Sequence, residues 1–215
     1  MNKLLAFEAG PVSSRRRLEI ITADSCAPVI FGVKPSNMVA FDRRAPGYDD
    51  RWFDHLCRSF ARAGIASYVL CSCPARHLVL FFRPGMLRDH LNDPETKAIL
   101  LKEGYRAGGT VSEMIARLAS RIGGGREFPH EIGLFLGYPA HDVAGFIQNN
   151  GNGGVGCGYW RVYHDPEGAK RRFALYDKCR DMISDMLTEG RSLSNILTTG
   201  GKYNENVCDL LVGNG

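Results

Sequence analysis

The sequence predicts an α+β fold, with a mixed β-sheet packed with several α-helices in a single domain. The chain has 215 residues, of which 44% are hydrophobic, enough to bury a core of ordinary size. Short apolar runs typical of strands cluster early and in the middle, and amphipathic segments lie between and after them. This order favours α+β over a strict βαβ array. We expect an N-terminal segment at 1–17, the domain at 18–190 and a partly loose tail at 191–215.

The first third of the chain combines β-rich runs with one helix. Residues 18–22 (Leu-Glu-Ile-Ile-Thr) carry β-branched side chains and predict a strand. Residues 38–41 predict a second extended segment. Asp49 can cap a helix whose apolar stripe contains Trp52, and Gly64 is the expected stop.

Two apolar runs joined by a turn form the clearest hairpin pattern. Residues 66–71 and 77–82 are rich in β-formers, and Pro74 lies between them. Cys71 and Cys73 are two apart, so they would share one face of a strand. No second pair of cysteines or histidines lies near at zinc-site spacing, which argues against a metal site at these two cysteines.

Three more helices are indicated by start and stop signals. Asp93 followed by proline opens one, and Gly104 closes it. Residues 110–113 (Thr-Val-Ser-Glu) form a capping box before an amphipathic segment. Asp165, again followed by proline, opens the last long helix, which we expect to end at Gly190.

Residues 129–149 are the stretch around which the chain is organised. Residues 132–136 are short and apolar and are closed by Gly137, which predicts a buried strand. Pro139 suits the first position of the amphipathic helix that follows. Neighbouring strand residues point to opposite faces, so His130 and Glu131 could share a pocket only if the backbone there is a loop.

Residues 151–156 match the pattern G-x-G-x-x-G in the wrong context for nucleotide binding. A dinucleotide fingerprint follows a strand and opens a helix, whereas here a helix precedes and a predicted strand at 158–163 follows. We therefore interpret the segment as a mobile loop that could act as a lid.

Composition and charge limit the cellular setting. The seven cysteines are scattered, as expected of reduced thiols in a cytoplasmic protein rather than of a disulfide framework. No apolar run is long enough to cross a bilayer, and we expect no membrane partner. The net charge of +4 is mild, and the basic run at residues 15–17 is short. It could contact a phosphate, but a solvated turn is the better interpretation, which argues against nucleic-acid binding.

Several motifs resemble a known bacterial family. These are Pro-His-Glu at residues 129–131, Leu-Gly-Tyr-Pro at 136–139 and the aromatic segment 158–163; segments 26–28 and 32–37 also match its N-terminal part. The chain resembles a domain-of-unknown-function family common in clostridia and related anaerobes. The resemblance covers most of residues 20–190. It implies no activity, substrate or cofactor.

Our first functional hypothesis is a non-catalytic module that binds a small ligand, a metal or a protein partner. It is centred on His130 and Glu131 and on the glycine-tyrosine-proline turn, and aromatic side chains would provide contact area. The candidate ligand-binding residues are Gly137, Tyr138, Pro139, Cys157, Tyr159 and Trp160. The alternative for the aromatic residues is ordinary core packing, and for His130 it is a structural hydrogen bond to the backbone.

The second hypothesis is an enzyme with a thiol–imidazole pair. A cysteine becomes a good nucleophile beside a base or a cation, and histidine titrates near neutrality. Cys26 and His130 are the candidate pair, Glu131 would orient the imidazole, and Cys157 is the alternative thiol. The same four side chains could hold a soft metal, although their spacing is not diagnostic. Whether the protein is an enzyme, and which cofactor it uses, stay open.

Overall fold

A computed structural model describes residues 13–124 and 128–200 and confirms an α+β fold in a single domain. Helices form most of the described chain, and the strands belong to two antiparallel sheets. The helices are α1 (Ser14–Ser25), α2 (Ala27–Ile30), α3 (Asp50–Arg62), α4 (Pro84–Asn92), α5 (Pro94–Lys102), α6 (Val111–Gly124), α7 (Ile132–Phe135), α8 (Ala140–Gln148), α9 (Pro166–Thr188) and α10 (Leu193–Gly200). The strands are β1 (Ser36–Asp42), β2 (Ala66–Ser72), β3 (Arg76–Phe82), β4 (Gly156–Cys157) and β5 (Arg161–Val162).

The larger sheet has three strands in the order β1-β3-β2. Both pairs are antiparallel, with Val79 at the centre of β3 opposite Val39 on one side and Val69 on the other. The hairpin expected around Pro74 and the extended segment at 38–41 are confirmed. The sequence predicted a mixed sheet, whereas every strand pair in the described ranges is antiparallel.

Strand β3 supplies side chains to two cores on opposite faces of this sheet. Val79 and Phe81 point to one face and Leu80 and Phe82 to the other, as the two-residue period of a strand requires. Helices α1, α2, α3, α9 and α10 contribute to the first core, and α4 to α8 to the second. On the first face the rings of Phe60 and Phe81 lie 4.6 Å apart. The domain is therefore a sheet covered by helices on both sides.

The strand predicted at residues 18–22 is wrong, because these residues lie inside α1. Ser13 caps this helix, and its hydroxyl accepts a hydrogen bond from the Arg16 amide. Ile20 is buried while Ile21 is 56% exposed, which suits one face of a helix packed on the core. A five-residue run with three β-branched side chains is too short to distinguish a strand from a helix. Tertiary packing overrides its weak strand preference.

The basic run next to these residues is tied to the fold. Arg15 forms an ion pair with Asp49, and Arg16 Nη2 donates to the carbonyl of Arg191 at 2.6 Å. These contacts connect the start of α1 to the cap of α3 and to the short connection that follows α9. The first two arginines of the run therefore have structural partners.

The strand predicted at residues 132–136 is also wrong, because the run forms the single helical turn α7. Backbone N–H groups of Ile132 and Gly133 donate to the carbonyls of Pro129 and His130, which starts the turn. An added Cβ at Gly133 would lie 2.8 Å from Val143 Cγ2, so α7 packs closely against α8. A five-residue apolar run is compatible with either structure, and here packing against neighbouring helices decides it.

Two further differences concern the last third of the chain. The continuous strand predicted at 158–163 is instead a minimal hairpin of β4 and β5, and the Gly158 amide closes its turn by donating to the Trp160 carbonyl. Helix α10 continues the packed chain beyond residue 190, because Ile196 and Leu197 are buried in the first core. The rest of the expected tail, residues 201–215, lies outside the described residues, as do residues 1–12.

Candidate functional site

Residues 137–139 form a tight corner between α7 and α8. Gly137 has φ 75°, and a Cβ built on it would lie 2.4 Å from Cγ of Pro35. The corner separates two cavities: Tyr138 lines one of them, and Gly137 and Pro139 line the other. The turn that the sequence singled out is thus placed between two candidate binding sites.

The first cavity, which we call the aromatic pocket, has a volume of about 220 Å³ and is partly open to solvent. Its walls come from the segment before α7, the corner, α8 and the β4–β5 hairpin. Five of its eleven lining residues are aromatic, and the exposed Arg161 also lines it. The aromatic residues are Phe128, His130, Tyr138, Phe146 and Trp160.

A buried carboxylate holds one wall of the aromatic pocket in place. Asp142 lies in the first turn of α8, where the helix dipole favours a negative charge, and it is 2% exposed. Its Oδ2 accepts from Trp160 Nε1 at 2.7 Å, and its Oδ1 accepts from the amides of Tyr163 at 2.8 Å and His164 at 2.9 Å. With three donors already bound, Asp142 shapes the pocket rather than binding an occupant.

Rings line the inside of the pocket in edge and tilted contacts. Tyr138 and Trp160 have centroids 5.1 Å apart at an angle of 30°. The His130 ring meets the Phe146 ring edge-on at 5.1 Å. Such arrangements leave ring faces and edges available to a further planar group.

His130 and Glu131 point in different directions, as neighbouring residues of a strand would, although the backbone here is a turn. His130 is exposed at the pocket. Glu131 is 1% exposed and accepts from Arg121 Nε at 2.8 Å and from the Tyr105 hydroxyl at 3.0 Å. Burial and the neighbouring Glu131 carboxylate raise the pKa of Tyr105. Glu131 therefore anchors the turn to α6 and has no contact through which to orient His130.

Cys26 lies in the first core, at the junction of α1 and α2. It is fully buried, and burial raises the pKa of its thiol, opposed in part by the charge of Lys34. An activated thiol requires the opposite shift and access to a substrate. The structure therefore gives no support to a nucleophilic Cys26, and the groups that act on its pKa are Lys34 and Asp24 rather than His130.

Of the remaining candidates, only Tyr138, Trp160 and His130 meet in the aromatic pocket. Cys157 is exposed on β4 and is not among the pocket residues. Tyr159 packs against the ring of Phe173 on α9 and donates its hydroxyl to Asp177 Oδ1 at 2.7 Å. Burial and this bond raise the pKa of Tyr159 to about 12. The ligand-binding roles of these residues stay predictions.

The sequence did not draw attention to Lys34, which links the two cavities. It is 2% exposed, and its ammonium donates to Asn37 Oδ1 at 2.7 Å. The Nζ lies 5.3 Å from the ring centroid of Tyr138 and 5.6 Å from that of Tyr176. Burial lowers the pKa of Lys34 to about 8. A lysine followed by proline gives no local signal of burial, because burial depends on residues that are distant in sequence.

Neither a metal-ligand cluster nor a membrane-spanning helix occurs in the described parts of the chain. Within residues 13–124 and 128–200, no three His, Cys, Asp or Glu side chains are grouped so that they could hold a metal ion. Over the same ranges, no helix combines the length and the apolar character needed to span a bilayer.

The comparison with protein families confirms the expected domain-of-unknown-function family. Residues 22–197, most of the chain, match the model of a family described as protein of unknown function (DUF3793). The chain belongs to this family. No curated protein and no solved structure matches the chain. Membership of this family does not specify an activity.

The corner at Gly137 should be much less tolerant of a side chain than the glycine-rich loop. Gly137→Ala and Gly153→Ala both place alanine at positive φ, but only Gly137 has a neighbour where the new methyl would go. We expect both variants to lose about 1–2 kcal/mol from backbone strain, and Gly137→Ala to lose more through its clash with Pro35. Urea unfolding of the two variants measures the difference, and equal free energies of unfolding would contradict the close contact.

The buried Lys34 should make stability depend on pH in the alkaline range. Its pKa is about 8 in the folded protein and 10.5 when unfolded, so the unfolded chain binds more protons between these values. The cost of burying the charge is therefore fully present below pH 8 and is relieved as pH rises towards 10.5. Converted at 1.36 kcal/mol per unit, it amounts to ~3 kcal/mol at most.

Comparison with Lys34→Met isolates this contribution from the tyrosines and cysteines that titrate in the same range. We expect the stability of Lys34→Met relative to the parent to fall steadily between pH 7.5 and pH 10. Lys178→Met, on the exposed face of α9, controls for loss of a lysine as such. Urea unfolding at several pH values gives the result, and a difference between Lys34→Met and parent that does not vary with pH would show that Lys34 is not buried as a charge.

Proposed function

We propose that the protein binds a small planar ligand in the aromatic pocket, and that the ligand carries a carboxylate that meets Arg161. The single observation that carries this proposal is the convergence of five aromatic side chains on one partly open cavity. These side chains are Phe128, His130, Tyr138, Phe146 and Trp160. Partly open, mostly apolar cavities with a few polar groups at the edge are the usual form of small-molecule sites.

The size of the pocket supports a ligand with one substituted ring. An engineered apolar cavity of about 150 Å³ accommodates benzene, and the aromatic pocket has about 220 Å³. The tilted pair of Tyr138 and Trp160 and the edge contact of His130 with Phe146 offer stacking and edge surfaces to such a ring. Aromatic acids of the size of benzoate match this volume.

The polar groups at the pocket favour an anionic substituent. Asp142 uses its oxygens on Trp160 and two backbone amides, so it does not need a ligand cation. Arg161 is exposed, and Nη1 donates to the carbonyl of Gly153 at 2.8 Å. A guanidinium has five N–H donors and stays charged, so donors remain for a carboxylate.

The loop at residues 151–156 borders this site. Gly151 lies against the ring of Phe146, where an added Cβ would be 2.9 Å from Cζ. Arg161 and the Tyr163 hydroxyl donate to the carbonyls of Gly153 and Asn152. These contacts hold the loop against Phe146 and Arg161 of the pocket, and displacement of the loop would free both side chains.

We also propose that the protein works in the cytoplasm. The six cysteines in the described ranges are all free thiols, and they include the exposed Cys73 and Cys157. Exposed free thiols are typical of proteins in a reducing compartment.

Nuclear magnetic resonance of the tryptophan indole N–H groups tests ligand binding directly. The chain has two tryptophans, and Trp160 lines the pocket while Trp52 lies in the first core, so Trp52 is an internal control. Trp52→Phe assigns the signals. We expect benzoate or 4-hydroxybenzoate to shift the Trp160 signal saturably and to leave the Trp52 signal in place. No shift of the Trp160 signal with either acid would contradict the proposal.

A pair of histidine variants checks the location. His130→Ala removes an exposed ring at the pocket, and the loss of an aromatic contact should weaken binding about threefold to tenfold. His55→Ala removes an exposed ring on α3 and should have no effect. Equal affinities of the two variants would place the acid elsewhere on the protein.

A further inference from the structure

The second cavity at the corner has charges of both signs, and we infer that it binds a free α-amino acid with an aliphatic side chain. This cavity, which we call the charged cleft, has a volume of about 520 Å³. It lies where the α2–β1 connection, α4, α5, α8 and α9 meet. Its titratable side chains are His90, Asp93, Glu95, His141, Arg172 and Tyr176.

Arg172 on α9 suits a carboxylate. It lines the cleft, and its charge acts on two of its neighbours there. Burial raises the pKa of Tyr176 to about 12 against the opposing charge of Arg172, and the same charge adds to the effect of burial in lowering the pKa of His90. His141, in the first turn of α8, lines the same cleft. A guanidinium is planar, stays charged and matches the geometry of a carboxylate.

Two acidic side chains of the cleft suit an ammonium group. Asp93 and Glu95 lie at the start of α5 and are exposed. Asp93 uses Oδ2 to accept from the Thr96 amide at 3.1 Å, which leaves Oδ1 for a ligand. Charges of both signs therefore line one cleft, as a zwitterion requires.

His90 provides an unused hydrogen-bonding atom in the same cleft. Its Nε2 is buried and has no partner among the described protein atoms. Burial lowers the pKa of His90 against the opposing effects of Asp93 and of a hydrogen bond to the Leu134 backbone, and the charge of Arg172 lowers it further. Because Nε2 is the nitrogen without a partner, the other ring nitrogen makes the bond to Leu134, and Nε2 can then accept from an ammonium group.

Apolar side chains form the remaining wall of the cleft. Val33 and Pro35 come from the α2–β1 connection and Leu175 from α9. These groups would contact the side chain of the amino acid while the charged groups hold its backbone atoms. An apolar wall of this kind favours an amino acid with an aliphatic side chain.

Isothermal titration calorimetry with three matched compounds tests the inference. L-Leucine carries both charges, 3-methylbutylamine lacks the carboxylate, and 4-methylpentanoate lacks the ammonium. We expect L-leucine to bind the parent protein at least tenfold more tightly than either analogue. L-Valine and L-isoleucine, measured in the same way, extend the test to the other branched side chains.

Variants of neighbouring arginines on α9 locate the carboxylate. Arg172→Gln should weaken L-leucine at least tenfold and change 3-methylbutylamine less than twofold, since the amine has no carboxylate to lose contact with. Arg171→Gln, an exposed neighbour that does not line the cleft, is the matched control and should bind like the parent. Thermal melting of both variants confirms that they are folded.

Three outcomes would overturn the inference. These are no binding of any of the three amino acids, equal binding of L-leucine and one of its single-charge analogues, or equal effects of Arg171→Gln and Arg172→Gln. His130→Ala should leave L-leucine binding unchanged, because that residue lines the aromatic pocket. The cleft and the aromatic pocket can therefore succeed or fail independently.

Discussion

The buried carboxylate of Asp142 is the interaction on which the rest of the site depends. It connects the first turn of α8 to the β5 region through Trp160, Tyr163 and His164. Two short strands are too few to be stable alone, so the hairpin depends on this connection to α8 together with the packing of Tyr159 and Trp160 on Phe173 of α9. The bond to the indole positions a wall of the aromatic pocket, and the bonds to the two backbone amides fix the path of the chain beyond it. One side chain therefore determines both.

The corner at residues 137–139 lets one short segment serve two different cavities. Gly137 allows the chain to pass Pro35 closely, and Tyr138 then lies towards the aromatic rings while Pro139 starts α8 beside the charged cleft. Lys34 lies behind the corner, between the rings of Tyr138 and Tyr176. A buried ammonium is unfavourable unless it has partners, and here it has Asn37 and two aromatic faces.

The sequence predicted elements that are marked by local chemistry and missed those decided by packing. The caps at Asp49, Asp93 and Asp165 and the capping box at Thr110 are in place, because capping depends on neighbouring residues. The runs at 18–22 and 132–136 form helices instead, because the pattern of a five-residue run is too short to distinguish a strand from a helix. The motifs drew attention to Tyr138, Trp160 and His130. Asp142 and Lys34 could not be found in this way, because their partners are distant in sequence.

Hydrogen exchange of three protons tests the central role of Asp142 most directly. They are the Trp160 indole N–H and the Tyr163 and His164 amides, measured in the parent and in Asp142→Asn, with Asp54→Asn, which removes an exposed carboxylate on α3, as the control. The account predicts slow exchange in the parent and at least tenfold faster exchange in Asp142→Asn, with the amides of β1 and β3 unchanged. Parent-like exchange of all three protons in Asp142→Asn would contradict it.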